Sequence, residues 1–302
     1  MGTMFRLVFF ASDATGAANA ANAAFARVAD INRVLSDYDP ESEISRLERR
    51  QPGTAFATSS DLFHVLDRSQ LIAERTHGAF DVTLGPLVGL WREARRTRRI
   101  PAESELSIAR RACGARNVQL DSAKRTVTLL VPKMRLDFGG IAKGFAADEA
   151  LKVLVSCGYK RAMVAAGGDL AIGDPPPGTI GWKIDLSPFG STSSRTLRIK
   201  ANNVGISTSG DSEQFVEIDG IRYSHIINPA TGLGLTTPCA ATVVAPDATQ
   251  SDAWATACAV LSGERSIAAC IPDTIRAWIF NRVDGVDRYE GFGRNPPGLE
   301  LE

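Results

Sequence analysis

Net charge is what this 302-residue sequence most plainly lacks, since Lys plus Arg and Asp plus Glu each number 34. A general basic footprint is absent, so no nucleic-acid partner is expected. The one basic run, Arg92 to Arg99 (REARRTRR), reads either as a solvated helix face or as a patch for an anion or acidic partner. No stretch of about 18 or more apolar residues occurs, so no transmembrane segment is expected. The opening MGTMFRLVFFASD has no basic region leading into a long apolar one, and does not read as a secretory signal. A cytoplasmic protein is expected from the sequence as it stands, or a periplasmic or membrane-anchored one if an export signal has been removed. The five cysteines are scattered, never form a CxxC pair, and read as reduced core residues. With those spacings and three histidines a zinc site is not expected.

What is present is an ordinary globular composition, 44% apolar and 23% charged, in a chain long enough for one large core or two modest ones. FRLVFFAS reads as a strand, and Ala17 to Leu35 follows with helical spacing before the turn-rich SDYDPESE. Ser59 to Thr76 reads as an amphipathic helix with Ser59 or Ser60 as its cap. Gly78 to Trp91 looks strand-like and then helical, and residues 103–113 look helical. Val118 to Leu120 and Thr126 to Leu130 suggest a hairpin. From Ala162 the pattern turns to β (AMVAAGGDLAIG, GWKIDL, TLRIK, VGIST, QFVEIDGIRYSHI, AATVVA), broken by the alanine-rich helix Gln250 to Leu261. Helices and strands mix without regular βαβ alternation, which argues an α+β fold with antiparallel sheets, and no linker divides the chain, so residues 1–302 read as one domain.

Several stretches could carry chemistry. In LDFGGIAKGFAAD, residues 136–148, Gly139 and Gly140 permit a sharp turn, and the helix after them would aim free N–H groups at it. Lys143, in the first helical turn, is unfavourable for the helix dipole and is easier to explain beside an anion. The spacing is neither that of a P-loop nor that of a Rossmann turn. In TQSDAWATACAVL, Asp252 and Thr256 share one helix face, and such oxygen donors suit Mg²⁺. Ser207 to Gly210 reads as a hydroxyl-rich turn, and His225 precedes the turn NPATG. A histidine beside a phosphate can act as acid or base. Tyr38 sits on a turn among acids, and Ala79-Phe80-Asp81 and Gly167-Gly168-Asp169 read as turns. Singly, each of these has a structural explanation.

Taken in order, the segments resemble the ApbE family of FAD:protein FMN transferases. The matching stretches are Met1-Gly2-Thr3, SDYDPESEIS, GAFDVTLGPLVGLW, LDFGGIAKGFAAD, AAGGDL, STSGDSEQF, RYSHIINPATG and ATQSDAWATA, from residue 1 to about 262. The resemblance implies a T-fold-like α+β architecture and Mg²⁺-dependent transfer of FMN from FAD to a Ser or Thr hydroxyl of an acceptor flavoprotein, such as an electron-transfer subunit, with release of AMP. It implies that Asp137 and Lys143 contact FAD. The carbonyls of Gly140 and Thr249 with the side chains of Asp252 and Thr256 would hold Mg²⁺. Met1, Tyr38 and Ala79-Phe80-Asp81 would line the flavin and adenosine region, with His225 close to the pyrophosphate. His225 or Asp252 would serve as base. Gly140 stands where members often carry Ala, and Asn228 and Ala230 replace the usual Asp and Arg of the HIIDPRTG turn. A Mg²⁺-dependent FAD pyrophosphatase and a non-catalytic FAD-binding protein are the alternatives.

Overall fold

The computed structural model describes residues 2–190, 193, 196–210, 214–264, 266–283 and 286–301. In chain order the first elements are β1 (Phe5–Phe9), α1 (Ala14–Leu35), α2 (Glu43–Glu48), β2 (Phe56–Ala57), α3 (Ser60–Arg75), α4 (Gly85–Thr97) and α5 (Glu103–Arg111). Next come β3 (Val118–Asp121), β4 (Thr126–Leu129), α6 (Ala142–Ser156), β5 (Ala162–Ala166), β6 (Asp169–Ile172), β7 (Trp182–Leu186), β8 (Leu197–Ala201) and β9 (Val204–Gly210). The rest are β10 (Phe215–Ile218), β11 (Ile221–Ser224), β12 (Cys239–Ala245), α7 (Ala248–Val260), α8 (Ile267–Cys270), β13 (Arg276–Val283), β14 (Val286–Gly293) and β15 (Leu299–Leu301). The chain divides into two compact units, both discontinuous: residues 1–31, 141–210 and 239–302 form one, residues 32–140 and 211–238 the other.

The first unit is built on a seven-stranded sheet in the order β1-β5-β6-β9-β12-β13-β14, with every neighbouring pair antiparallel. β12, CAATVVA, is buried at every residue. A continuous run of small and β-branched residues is what a strand covered on both faces requires. Trp278, Phe280, Trp182 and Ile199 pack in one core cluster with Val244 and Ala240 of β12. A second cluster brings Ala147, Ala150 and Leu154 of α6 together with Ala20, Ala24 and Val164. All of α7 but Gln250 and Thr256 is buried, including the polar Thr249, Ser251 and Asp252, so this helix is enclosed on nearly every side.

The second unit holds α2 to α5, the three-stranded sheet β2-β4-β3 and the hairpin β10-β11. Its core gathers Leu87, Trp91, Leu106, Val216, Ile218 and Tyr223. Trp91 stacks obliquely on Tyr223 at 5.0 Å and donates its indole N–H to the Gly232 carbonyl at 2.8 Å.

Several elements depart from expectation. Gly78 to Leu84 forms no strand, and the helix α4 begins at Gly85 with Pro86 in its first turn. Proline's fixed φ favours that position. β9 runs on from the β-type VGIST through Ser209 and Gly210, so Ser207 to Gly210 is strand rather than turn. α7 starts at Ala248, capped by Asp247 through the Gln250 N–H.

Candidate active site

The residues before α6 make no strand; Leu84 and Arg135 form an isolated bridge, and the Asp137 N–H donates to the Val82 carbonyl at 2.7 Å. The Asp137 carboxylate then accepts the Gly139 N–H at 2.8 Å, tightening the turn. Ile141 stands at the N-cap of α6 without a side-chain bond to offer. A helix start leaves N–H groups unmet. One of them, that of Gly144, donates to Asp252 Oδ2 at 3.1 Å, so α7 supplies the missing acceptor.

The return contact comes from Asp148, one turn further along α6. Its buried carboxylate accepts the N–H groups of Ala248 (2.9 Å) and Thr249 (2.8 Å) and the Thr249 hydroxyl (2.6 Å). Each of the two helices thus receives at its N-terminal turn a carboxylate from the other, a favourable placement of negative charge. The helices meet closely because residue 144 is glycine: a Cβ there would lie 2.0 Å from the Ala248 carbonyl oxygen. Gly205 of β9 is equally confined, with a Cβ falling 2.2 Å from the Ala248 nitrogen.

Lys143 lies in this junction. Its ammonium stands 2.9 and 3.1 Å from the two Asp252 oxygens and 2.8 Å from Asp169 Oδ2. Asp169 Oδ2 makes no well-directed hydrogen bond, so the contact with Lys143 is an ion pair. Burial opposes the lysine charge, but Asp252 and Asp169 outweigh it and hold the ammonium above its ordinary range. Burial, then the Asp252 charge, pushes the Asp169 carboxyl up, against the pull of Lys143. Burial likewise raises the Asp148 carboxyl to about 6. On the face of β9 toward α7, Ser207 meets Ser251 at 2.8 Å and Ser209 meets Thr256 at 3.2 Å, while Thr208 on the other face meets Thr242 of β12 at 2.9 Å.

Of the residues singled out from the sequence, Lys143, Thr249, Asp252 and Thr256 therefore gather in the first unit. Gly140, Tyr38, Ala79, Phe80, Asp81, Asp137 and His225 belong to the second, and Met1 lies outside the described residues. In the second unit Arg92 joins two of them. Its guanidinium pairs with Asp37 at 2.6 Å and Asp137 at 3.3 Å, and lies over the ring of Tyr38 at 4.6 Å. Ala79 and Phe80 are buried. The Asp81 carboxylate accepts the Thr83 N–H and hydroxyl and the Ala115 N–H, so that side chain ties its turn to a neighbouring loop. His225 follows β11, with Nδ1 3.1 Å from the Gln214 carbonyl.

The sequence reading left out Asp148, and noted Asp169 only within a turn and Arg92 only within a basic run. Asp148 closes the LDFGGIAKGFAAD stretch one helical turn after Gly144, which was a usable signal. Asp169 ended a glycine pair, and Arg92 was hidden in a basic run. Among the described residues no group of three or more His, Cys, Asp or Glu is placed to hold a metal ion.

The model of the ApbE family matches residues 1–279. The chain belongs to the ApbE family. An FAD:protein FMN transferase of Treponema pallidum is 33% identical over 250 residues, covering 78% of this chain and 69% of that protein. The FAD:protein FMN transferase of Vibrio cholerae is 28% identical over 290 residues, covering 94% of this chain and 86% of that protein. The solved flavin transferase ApbE from Vibrio cholerae superposes with a TM-score of 0.83 at 28% identity, over 97% of this chain and 94% of that one. The ApbE protein of Thermotoga maritima gives 0.83 at 29% identity, over 96% and 94%. The α+β architecture expected from the sequence is thus the ApbE architecture. Among the described residues no helix is long and apolar enough to cross a membrane.

Proposed function

We propose that this chain is an FAD:protein FMN transferase, acting over residues 1–302 as one functional domain. It moves FMN from FAD to a Ser or Thr hydroxyl of an acceptor flavoprotein, such as an electron-transfer subunit, in a Mg²⁺-dependent reaction that releases AMP. The observation that carries this reading is the junction of α6 and α7. In a chain of this family it holds a lysine between two buried aspartates at a helix N-terminus.

The donors suit Mg²⁺. All are oxygens: the Asp252 carboxylate, the Thr256 hydroxyl, and the carbonyls of Gly140 and Thr249. Mg²⁺ is a hard cation that needs few protein ligands and completes its shell with water and substrate phosphate. Two buried carboxylates around one ammonium also leave negative charge that a cation would offset. When bound, the ion supplies charge neutralisation at the FAD pyrophosphate and at the AMP leaving group.

The chain's own groups do the rest. Lys143 and the N–H groups opening α6 stabilise negative charge on the phosphoryl being transferred. Asp137, Tyr38 and the Ala79-Phe80-Asp81 turn, with Met1, contact FAD. The acceptor hydroxyl oxygen forms the new bond to the FMN phosphorus, the bond from that phosphorus to the AMP oxygen breaks, and the hydroxyl proton passes to a base. Asp252 is a poor base here, because Lys143 and the Gly144 N–H already engage its oxygens. His225 is the better one: with Nδ1 turned to the Gln214 carbonyl, Nδ1 carries the ring proton and Nε2 is the basic nitrogen.

The test is incubation with FAD, MgCl₂ and a candidate acceptor domain, following AMP and acceptor mass together. An acceptor made heavier by FMN, with matching AMP, is the expected result. AMP without acceptor gain would replace the reading by a pyrophosphatase, and intact bound FAD by a binding protein.

A further inference from the structure

The two carboxylates around Lys143 are not equivalent. Asp252, on α7, meets the ammonium with both oxygens and also accepts the Gly144 N–H. Asp169, at the start of β6, meets it with Oδ2 at 2.8 Å. Both are almost fully buried, at 1% and 3% exposure, so neither charge is relieved by water. A buried ion pair that loses one partner is strongly destabilised, because the remaining charge stands uncompensated. With Asp252 as its sole partner, Lys143 would be locked onto that carboxylate. A second buried anion on another element gives the ammonium somewhere to stay when Asp252 turns to a different cation.

We propose that Asp169 is a positioning residue that holds the Lys143 ammonium so that Asp252 can accept a divalent cation. This rests on the reading of Asp252 as a Mg²⁺ ligand. In charge terms, the lysine competes with the metal for Asp252, and Asp169 weakens the competitor without touching the metal.

Asp169→Asn keeps the shape and removes the charge. MgCl₂ titrated into the protein by calorimetry, with and without FAD, should bind about tenfold more weakly in the variant, a typical effect for a residue behind a metal ligand. The Mg²⁺ concentration giving half-maximal AMP release should rise by a similar factor, and excess Mg²⁺ should restore the maximal rate. A purely structural role would lower the rate at every Mg²⁺ concentration without that rescue, and would overturn the inference. Lys143→Met added to Asp169→Asn should return Mg²⁺ binding at least to the wild-type level. If Asp169→Asn does not fold, Lys143→Met alone decides: tighter Mg²⁺ binding supports competition, and unchanged or weaker binding overturns it. A wild type that binds no Mg²⁺ in either assay ends the metal reading, and this inference with it. A wild type that binds Mg²⁺ no better than Asp169→Asn ends this inference alone.

Discussion

Lys143 and Arg92 each stand between two aspartates, and while the two cations are similarly exposed, at 31% and 39%, their aspartates are not. The side chains paired with Lys143, Asp169 and Asp252, are 4% and 2% exposed, while those paired with Arg92, Asp37 and Asp137, are 25% and 19% exposed. Tyr38, under the Arg92 guanidinium, is 76% exposed. Charges kept from water interact strongly, and one of them can change partner only if the charge it leaves keeps another. Charges reached by water are screened and exchange partners at small cost. The α6–α7 junction therefore binds its charges to one another strongly, while those around Arg92 are partly relieved by water.

Four substitutions probe that contrast, and the largest effect belongs to the buried cluster. Asp252→Ala should abolish Mg²⁺-dependent AMP release, read by chromatography of the nucleotide products; an active variant would rule out Asp252 as ligand. Gly144→Ala drives a methyl group into the Ala248 carbonyl and should cost roughly 3 kcal/mol, at the upper end for overpacking. Urea unfolding reads this, and an unchanged midpoint would mean that the helices can part without loss. Asp148→Ala strands two amides and a hydroxyl at the start of α7 and should lower stability by about 2 kcal/mol, with Asp148→Asn recovering part of it. Equal stability of all three proteins would remove Asp148 from the account. Arg92→Ala should cost at most about 1 kcal/mol, as exposed pairs do. It should instead move the KM for FAD while leaving kcat in place, and a change in kcat alone would contradict a ligand-facing role for that group.

The helix α3 was legible because its cap is local: Ser59 accepts the Leu62 N–H, as its place before an amphipathic run implies. The hairpin β3-β4 was legible for the same reason, with Asp121 accepting the Lys124 N–H across its turn. Residues 78–84 were misread because their apolar content resembles a strand, while the deciding feature was Pro86, which starts a helix. Ser207 to Gly210 looked like a turn because hydroxyls and glycine favour turns in isolation. What makes the segment a strand is its antiparallel pairing with Ala240 to Val243 of β12, residues further along the chain. The motif placed Asp148 one turn after Gly144, but not what it binds, because its partners are about a hundred residues away. The motif showed which residues to watch, and only the packing of α6 on α7 shows what each one touches.

The split of the first unit into residues 1–31, 141–210 and 239–302 has a consequence for how the site comes into being. Lys143 and Asp252 are separated by 109 residues, so during synthesis the lysine and Asp169 emerge well before the partner that completes their cluster. Until α7 follows, the buried face of β9 and the first turn of α6 have nothing to close on. Closing such long loops is slow, because the chain entropy is lost before the contacts reward it. The order of appearance therefore makes the site one of the last parts of the molecule to form.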